Sequence, residues 1–303
     1  MSAPMKDRFW NRMRQFFALI GFLSLLVLVA GFAGAFHPGL DTLALLRPIA
    51  LMLAVLCLFA FRSGLLRFVT AVVCGFALAS VVVTVLPGDD SDGDIVIYSK
   101  NVLWSNAAFD GLVEDILSTD ADAVLLQEVT DQNLDLLAQL STDYPHQHLC
   151  QTEHFMKSAI LSKRPLAADA KCVDGRSVAA ARINVDGEQV WLVSAHLLWP
   201  WPYSGSNDDA AIASFLDSLY GPIILAGDFN RFAWTHRVNQ IAKMTKTDLA
   251  GPVLPSLALT FDTRSLESLP IDMALAPGGG RLERRGYFGS DHRGILAHLS
   301  LTK

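Results

Sequence analysis

The chain has 303 residues, of which 51% are hydrophobic and only 18% charged, with a net charge of −6. That balance excludes an ordinary water-soluble globular protein, in which about a quarter of residues are charged, and a disordered chain, which is poor in apolar residues. The acidic sign speaks against a surface built to coat a long polyanion.

The apolar excess is concentrated near the N-terminus. Residues 15–36 (QFFALIGFLSLLVLVAGFAGAF) and 68–86 (FVTAVVCGFALASVVVTVL) contain no charge, and residues 43–61 contain only Arg47. Crossing the hydrocarbon core takes about 20 apolar residues. We therefore predict three transmembrane helices over 15–36, 43–61 and 68–86, behind a tail of residues 1–14. Arg47 is expected to snorkel to the interface and Pro48 to occupy a first helical turn. A cleaved signal peptide does not fit, because the first run is long and two more follow. Lys6, Arg8, Arg12 and Arg14 precede the first run, HPGLDT carries no basic residue, and Arg62 and Arg67 flank RSGLLR. The positive-inside rule then places the N-terminus in the cytoplasm. After three crossings the rest of the chain lies outside it, as in a multi-pass inner (plasma) membrane protein. If the middle run does not cross, the orientation inverts.

Residues 87–94 (PGDDSDGD) form a polar linker, followed by a single domain over 95–303. Seven of the 24 basic and two of the 30 acidic residues precede Gly88, leaving 17 basic and 28 acidic residues, net −11. Such a surface receives phosphates only through a metal or a local basic patch. Cys57 and Cys74 lie in the apolar runs; Cys150 and Cys172 lie in the domain, where an oxidising compartment would let them pair. Their spacing leaves this open, and no zinc-type pattern occurs.

Strand-like runs are expected at 94–104, 123–129, 158–166, 177–185, 189–198, 222–230, 271–276 and 294–301. Helical spacing appears at 109–118, 131–140 and 208–219. This mixture indicates an α/β (α+β) domain with buried central strands. Polar residues gather at the strand ends: Asn101, Glu128, His196, Asp228 with Asn230, Asp272, and Asp291 with His292. Each alone reads as a turn, cap or satisfied core residue. Together they form a set of hard oxygen donors suited to Mg²⁺ or Mn²⁺, with two histidines for proton transfer. No GxSxG elbow or Walker loop is present. The chemistry that fits is water attack on a phosphoester assisted by metal, His and Asp.

KNVLW, LLQEV, SAH, GDFN, IDMAL and GSDH resemble, in sequence and order, the endonuclease/exonuclease/phosphatase (deoxyribonuclease I-like) superfamily over residues 95–301, and the anchored layout looks like its bacterial membrane members. The resemblance implies a four-layer sandwich, with two packed mixed β-sheets flanked by helices and a site along one edge. It implies a metal bound by Glu128 with Asn101 and Asp291 nearby, and Asp228 orienting or deprotonating the water. Asn230 would hold a phosphate oxygen, His292 positioned by Asp272 would polarise the phosphate or act as base, and His196 would assist the leaving group. Three departures stand out. Lys157 or Ser158 occupies a place where the family often has Gly. Glu153 is a weak candidate for an acidic partner of His196. Arg293 and Gly294 follow SDH where Pro is usual one residue further on.

Trp199, Trp201 and Tyr203, in LLWPWPYSGSNDD, read as a base-stacking platform, a membrane-interface contact, a lid or a Pro-stiffened loop. The expected partners are a phosphoester substrate (lipid head group, nucleic acid or small molecule) and the lipid bilayer, with no protein partner evident. The rival readings are an extracytoplasmic nuclease and a non-catalytic binding protein on the same fold.

Overall fold

The computed structural model describes residues 3–88, 93–150, 155–173, 177–203, 206–261 and 264–302. The chain divides into two compact units.

The first unit comprises Met1–Val83 with two short segments, Pro200–Pro202 and Trp234–Arg237. Its helices are α1 (Ala3–Phe32), α2 (Pro38–Leu43), α3 (Arg47–Cys57) and α4 (Gly64–Val85). Short 3₁₀ turns make Pro38–Ala60 one helical stretch, and this stretch, Asp7–Phe32 and Gly64–Val85 are each long and apolar enough to cross a membrane. Pro48 lies in the first turn of α3, where its missing N–H leaves no intrahelical bond unmade. Glycine lets α1 approach its neighbours closely: a Cβ on Gly31 would stand 3.1 Å from the backbone of Ala44, and one on Gly21 2.9 Å from Cys57,.

Arg47 is buried, and its guanidinium donates to Ser80 Oγ at 2.9 Å and to the carbonyls of Gly31 and Trp234 at 3.2 Å each. It also stacks over the Phe32 ring at 4.2 Å. Backbone and hydroxyl acceptors thus meet its charge within the protein. In the same unit Asp41 accepts the backbone N–H groups of His236 and Arg237, and Trp234 Nε1 donates to the Ala44 carbonyl.

The second unit comprises Thr84–Trp199, Tyr203–Ala233 and Val238–Lys303. In chain order it contains β1 (Ile95–Asn101), α5 (Asp110–Ser118), β2 (Ala123–Val129), α6 (Leu134–Gln139), β3 (His146–Leu149), β4 (Lys157–Ser162), β5 (Lys171–Cys172), β6 (Ser177–Val185) and β7 (Glu188–His196). There follow α7 (Ser206–Asp217), β8 (Ile223–Asp228), α8 (His236–Thr245, in this unit from Val238 on), β9 (Asp248–Gly251), β10 (Leu257–Phe261), β11 (Arg264–Leu269), β12 (Asp272–Ala276), β13 (Gly280–Arg284) and β14 (Ile295–Leu299). Among the described residues twelve strands form one mixed sheet in the order β3-β4-β2-β1-β14-β13-β9-β12-β8-β7-β6-β5, and β10-β11 is a separate hairpin. The expected two sheets are thus halves of one curled sheet. Their join is the short parallel pairing of β13 with β9, Gly280 opposite Ala250 and Arg281 opposite Gly251.

The halves fold face to face, with β2 and β4 against β6 and β7 and β1 against β8. Period-two alternation on strands buried on both sides explains the layering. Ile95, Ile97 and Leu125 point into the core shared with Val178, Leu192 and Leu225, whereas Tyr98, Val124 and Leu126 pack outward on Leu112, Ile116 and Leu136 of α5 and α6. Ile212 and Leu216 of α7 and Val238 and Ile241 of α8 join the first cluster, giving α/β/β/α layers. Between the halves, Gln127 Nε2 donates to Ser194 Oγ at 3.0 Å, and that hydroxyl donates to the Leu126 carbonyl. Cys150 and Cys172 form a disulfide. The candidate Glu153 and part of the linker 87–94 fall outside the described residues.

Candidate active site and metal centre

Sheet register converges the strand ends. β7 and β8 run parallel with His196 opposite Asp228, β8 and β12 antiparallel with Asp228 opposite Asp272, and β1 and β2 parallel with Asn101 opposite Gln127. Glu128 is one residue further along β2, where pairing with β4 is broken between Leu126 and Val129. It has φ +58°. A bulge of this kind re-aims a side chain, here toward Asn101. Gly227 has φ +149°, and a Cβ there would stand 2.0 Å from the Ala195 carbonyl oxygen. The chain can therefore turn Asp228 inward only with glycine before it.

Asp228 sits at the centre. Asn230 N–H donates to its Oδ1 at 2.8 Å, and the amides of Asn101 and Asn230 donate to its Oδ2 at 3.2 and 3.3 Å. His196 Nε2 lies 3.7 Å and His292 Nε2 3.6 Å from that same oxygen. His292 Nδ1 is 2.8 Å from Asp272 Oδ2, and Asp272 N–H donates to Ser256 Oγ. Glu128 accepts from Asn101 Nδ2 at 2.9 Å and from the Trp104 N–H at 3.1 Å, and its Oε1 is 3.7 Å from His196 Nε2. Glu128, His196, Trp199, Asp228, Asn230, Asp291 and His292 line a cavity of about 340 Å³, completed by Leu257, Ala258 and Leu259 of β10.

All eight sequence-derived candidates therefore fall in one neighbourhood, with two qualifications. The Asn230 amide is spent on Leu197 O, at 2.9 Å, and on Asp228, so in this state it orients the carboxylate. Candidate ligand atoms within 4.8 Å of one another group Glu128 with His196 and Asp228, and Asp228 with Asp272 and His292. Asp291 lines the cavity outside both groups.

Burial pushes the Asp228 carboxyl up to about 6, with Asp272 adding to the rise and His292, His196 and the Asn230 N–H opposing it. For His292 burial would lower the pKa, but attraction to Asp272 and Asp228 prevails and raises it to about 10. The Glu128 and Asp228 carboxylates are hard donors of the kind a divalent cation takes, grouped with His196; Asn101 presents its amide nitrogen to both of them while its Oδ1 accepts the Leu103 N–H.

Sequence reading missed Lys100, which is fully buried. Its ammonium donates to the carbonyls of Gly286 at 3.4 Å, Tyr287 at 2.9 Å and His292 at shorter range. Burial lowers its pKa to about 7 against the pull of Asp272, Asp291 and Asp115. Also missed were Ser290, whose hydroxyl donates to Asn101 O and accepts His292 N–H, and the apolar wall of β10. A lone Lys inside a strand and a Ser in a loop give no periodic signal. For Ser290 the available cue was its place in GSDH.

The family model described as Endonuclease/Exonuclease/phosphatase matches residues 98–292. None of the curated proteins matches the chain in sequence. Among solved structures, an endonuclease/exonuclease/phosphatase family protein from Leptotrichia buccalis superposes with a TM-score of 0.54 at 17% identity, covering 67% of this chain and 98% of its own. Truncated TDP2 from Caenorhabditis elegans gives 0.50 at 14%, covering 67% and 96%. Sphingomyelinase C from Streptomyces griseocarneus gives 0.48 at 16%, covering 68% and 99%. At such identities the first two show a shared fold.

Proposed function

Since the chain belongs to the Endonuclease/Exonuclease/phosphatase family, and so to the metal-dependent phosphoric ester hydrolases, we propose that it is a membrane-anchored, Mg²⁺- or Mn²⁺-dependent phosphodiesterase acting on an amphiphilic phosphodiester. The observation that carries this reading is one cavity joining Glu128, Asp228 and the Asp272–His292 pair to an apolar wall of Trp199, Leu257 and Leu259. Exposed Trp104 and Phe155, their ring centroids 5.6 Å apart, add apolar surface beside Glu128. Three helices of membrane-spanning length supply the anchor. The disulfide favours an extracytoplasmic second unit,, with the N-terminus in the cytoplasm.

In this reading Glu128, with Asn101 and Asp291 near it, holds the cation, which when bound neutralises phosphate and leaving-group charge. Asp228, held by two carboxamides and one N–H, orients the attacking water and takes its proton. Asp272 fixes the ring of His292 through Nδ1 and keeps it protonated, so that Nε2 faces the cavity as a donor to a phosphoryl oxygen. His196, 3.7 Å from both Glu128 Oε1 and Asp228 Oδ2, assists the leaving oxygen. The apolar wall excludes water and seats the non-phosphate part of the substrate.

The test is a substrate panel on the full chain in detergent with Mg²⁺ or Mn²⁺: phospholipid and sphingolipid vesicles, bis(4-nitrophenyl) phosphate, 4-nitrophenyl phosphate and supercoiled plasmid. Lipid phosphodiester hydrolysis that stops with chelator and falls at least about 10³-fold in Asp228→Ala is expected. Efficient plasmid nicking with no lipid turnover would turn the assignment to a nuclease. Metal binding without turnover of any substrate would leave a binding protein.

A further inference from the structure

Lys100 is unusual among the buried groups. Its side chain has no exposure, and among the described residues its Nζ has backbone carbonyls as its hydrogen-bond partners. An apolar residue of similar length would fill the same space at lower desolvation cost, so packing alone does not call for a lysine. The carbonyl cage does. Gly286, Tyr287 and His292 all belong to the connection between β13 and β14, which also carries Ser290 and Asp291. Three carbonyl acceptors match the three N–H donors of an ammonium. Lys100 is also the strand neighbour of Asn101, whose side chain reaches Glu128 and Asp228. Alternation along β1 sends Asn101 to the cavity and Lys100 to the connection that forms another part of its lining. Strand β1 thus places two parts of the site from adjacent positions.

We propose that Lys100 is a positioning residue: by gathering three carbonyls of the β13–β14 connection it sets where Asp291 and His292 stand relative to Asp228 and Glu128. This rests on the phosphoesterase reading of those residues. Lys100 touches no reacting atom, and its effect passes through the backbone of the connection.

The experiment uses the full chain in detergent with Mn²⁺ and bis(4-nitrophenyl) phosphate, and measures kcat, KM and Mn²⁺ affinity by calorimetry. Lys100→Met is expected to lower kcat about 100-fold, the scale of a 1 Å misplacement, with KM within about threefold. Mn²⁺ affinity should weaken about tenfold, as for a lost outer support of a metal site. In Lys100→Ala, added propylammonium should restore activity while 1-propanol, of the same length with a single donor, should not. A purely structural residue would show no such split. Should Lys100→Met yield no folded protein, Lys100→Gln, which keeps two N–H donors, carries the test and should retain kcat within about tenfold of wild type. A folded Lys100→Met protein with wild-type Mn²⁺ affinity and kcat, or rescue by amine and alcohol alike, would overturn the proposal. Asp228→Ala in the same assay separates the two ideas: if it remains active, the phosphoesterase reading of the site fails instead.

Discussion

Asp228 illustrates how the residue scale sets the chemistry. Its carboxyl is raised to about 6 chiefly by burial, so below that pH it is protonated and cannot accept a proton from water. Activity should therefore rise with pH, and a profile of kcat/KM should show an acid limb at or below about pH 6, because a bound cation lowers the value further. A limb above pH 7 would assign that proton to another group. His292 depends on Asp272 in the same way. Asp272→Asn removes the charge that holds the ring at Nδ1, and kcat should fall by about 10²-fold or more with little change in KM. With Glu128 holding the cation as proposed, the cation is a folding ligand as well: at 100 times its Kd, Mn²⁺ should stabilise the wild type by about 2.7 kcal/mol. Melting of Glu128→Ala with and without Mn²⁺ should show that increment largely lost.

At the scale of elements, strands with strong apolar runs were legible and short polar ones were not. AVLLQEV is found at the predicted Ala123–Val129, and IILAGD lies inside the predicted 222–230. HQHL, KC and DLAG carry no alternation; they become strands because neighbours offer backbone partners, a tertiary effect that local propensity does not contain. The helix HRVNQIAKMT was missed because six of its ten residues are polar; Val238 and Ile241 are buried in the core, and Ala242 and Met244 are partly buried against it. The candidate site residues stood out for the opposite reason. A carboxylate or histidine closing an apolar strand is a local conflict, and such conflicts mark function. Glu128 needed the bulge after Leu126 to face the site, which the sequence does not announce. Gly227 makes the clearest elemental prediction. Gly227→Ala forces a Cβ against the Ala195 carbonyl, and should destabilise the second unit by about 3 kcal/mol or more. Chemical denaturation would show it, and an unchanged midpoint would refute it.

For the whole molecule, the strand order itself has a consequence. An open sheet of twelve strands ends in β3 and β5, and unpaired edges are templates for pairing with other chains. Cys150 follows β3 directly and Cys172 closes β5, so a single covalent link ties the first strand of the ladder to the last. Opening a loop of this length should cost about 3 kcal/mol by the chain-entropy estimate, and Cys150→Ser should show a correspondingly lower denaturation midpoint. The sheet is then a band with a fastened seam rather than an open ribbon. Reducing agent should act on more than stability: it frees both rims at once. Light scattering at elevated temperature should rise on reduction, and an unchanged trace would refute the seam's role.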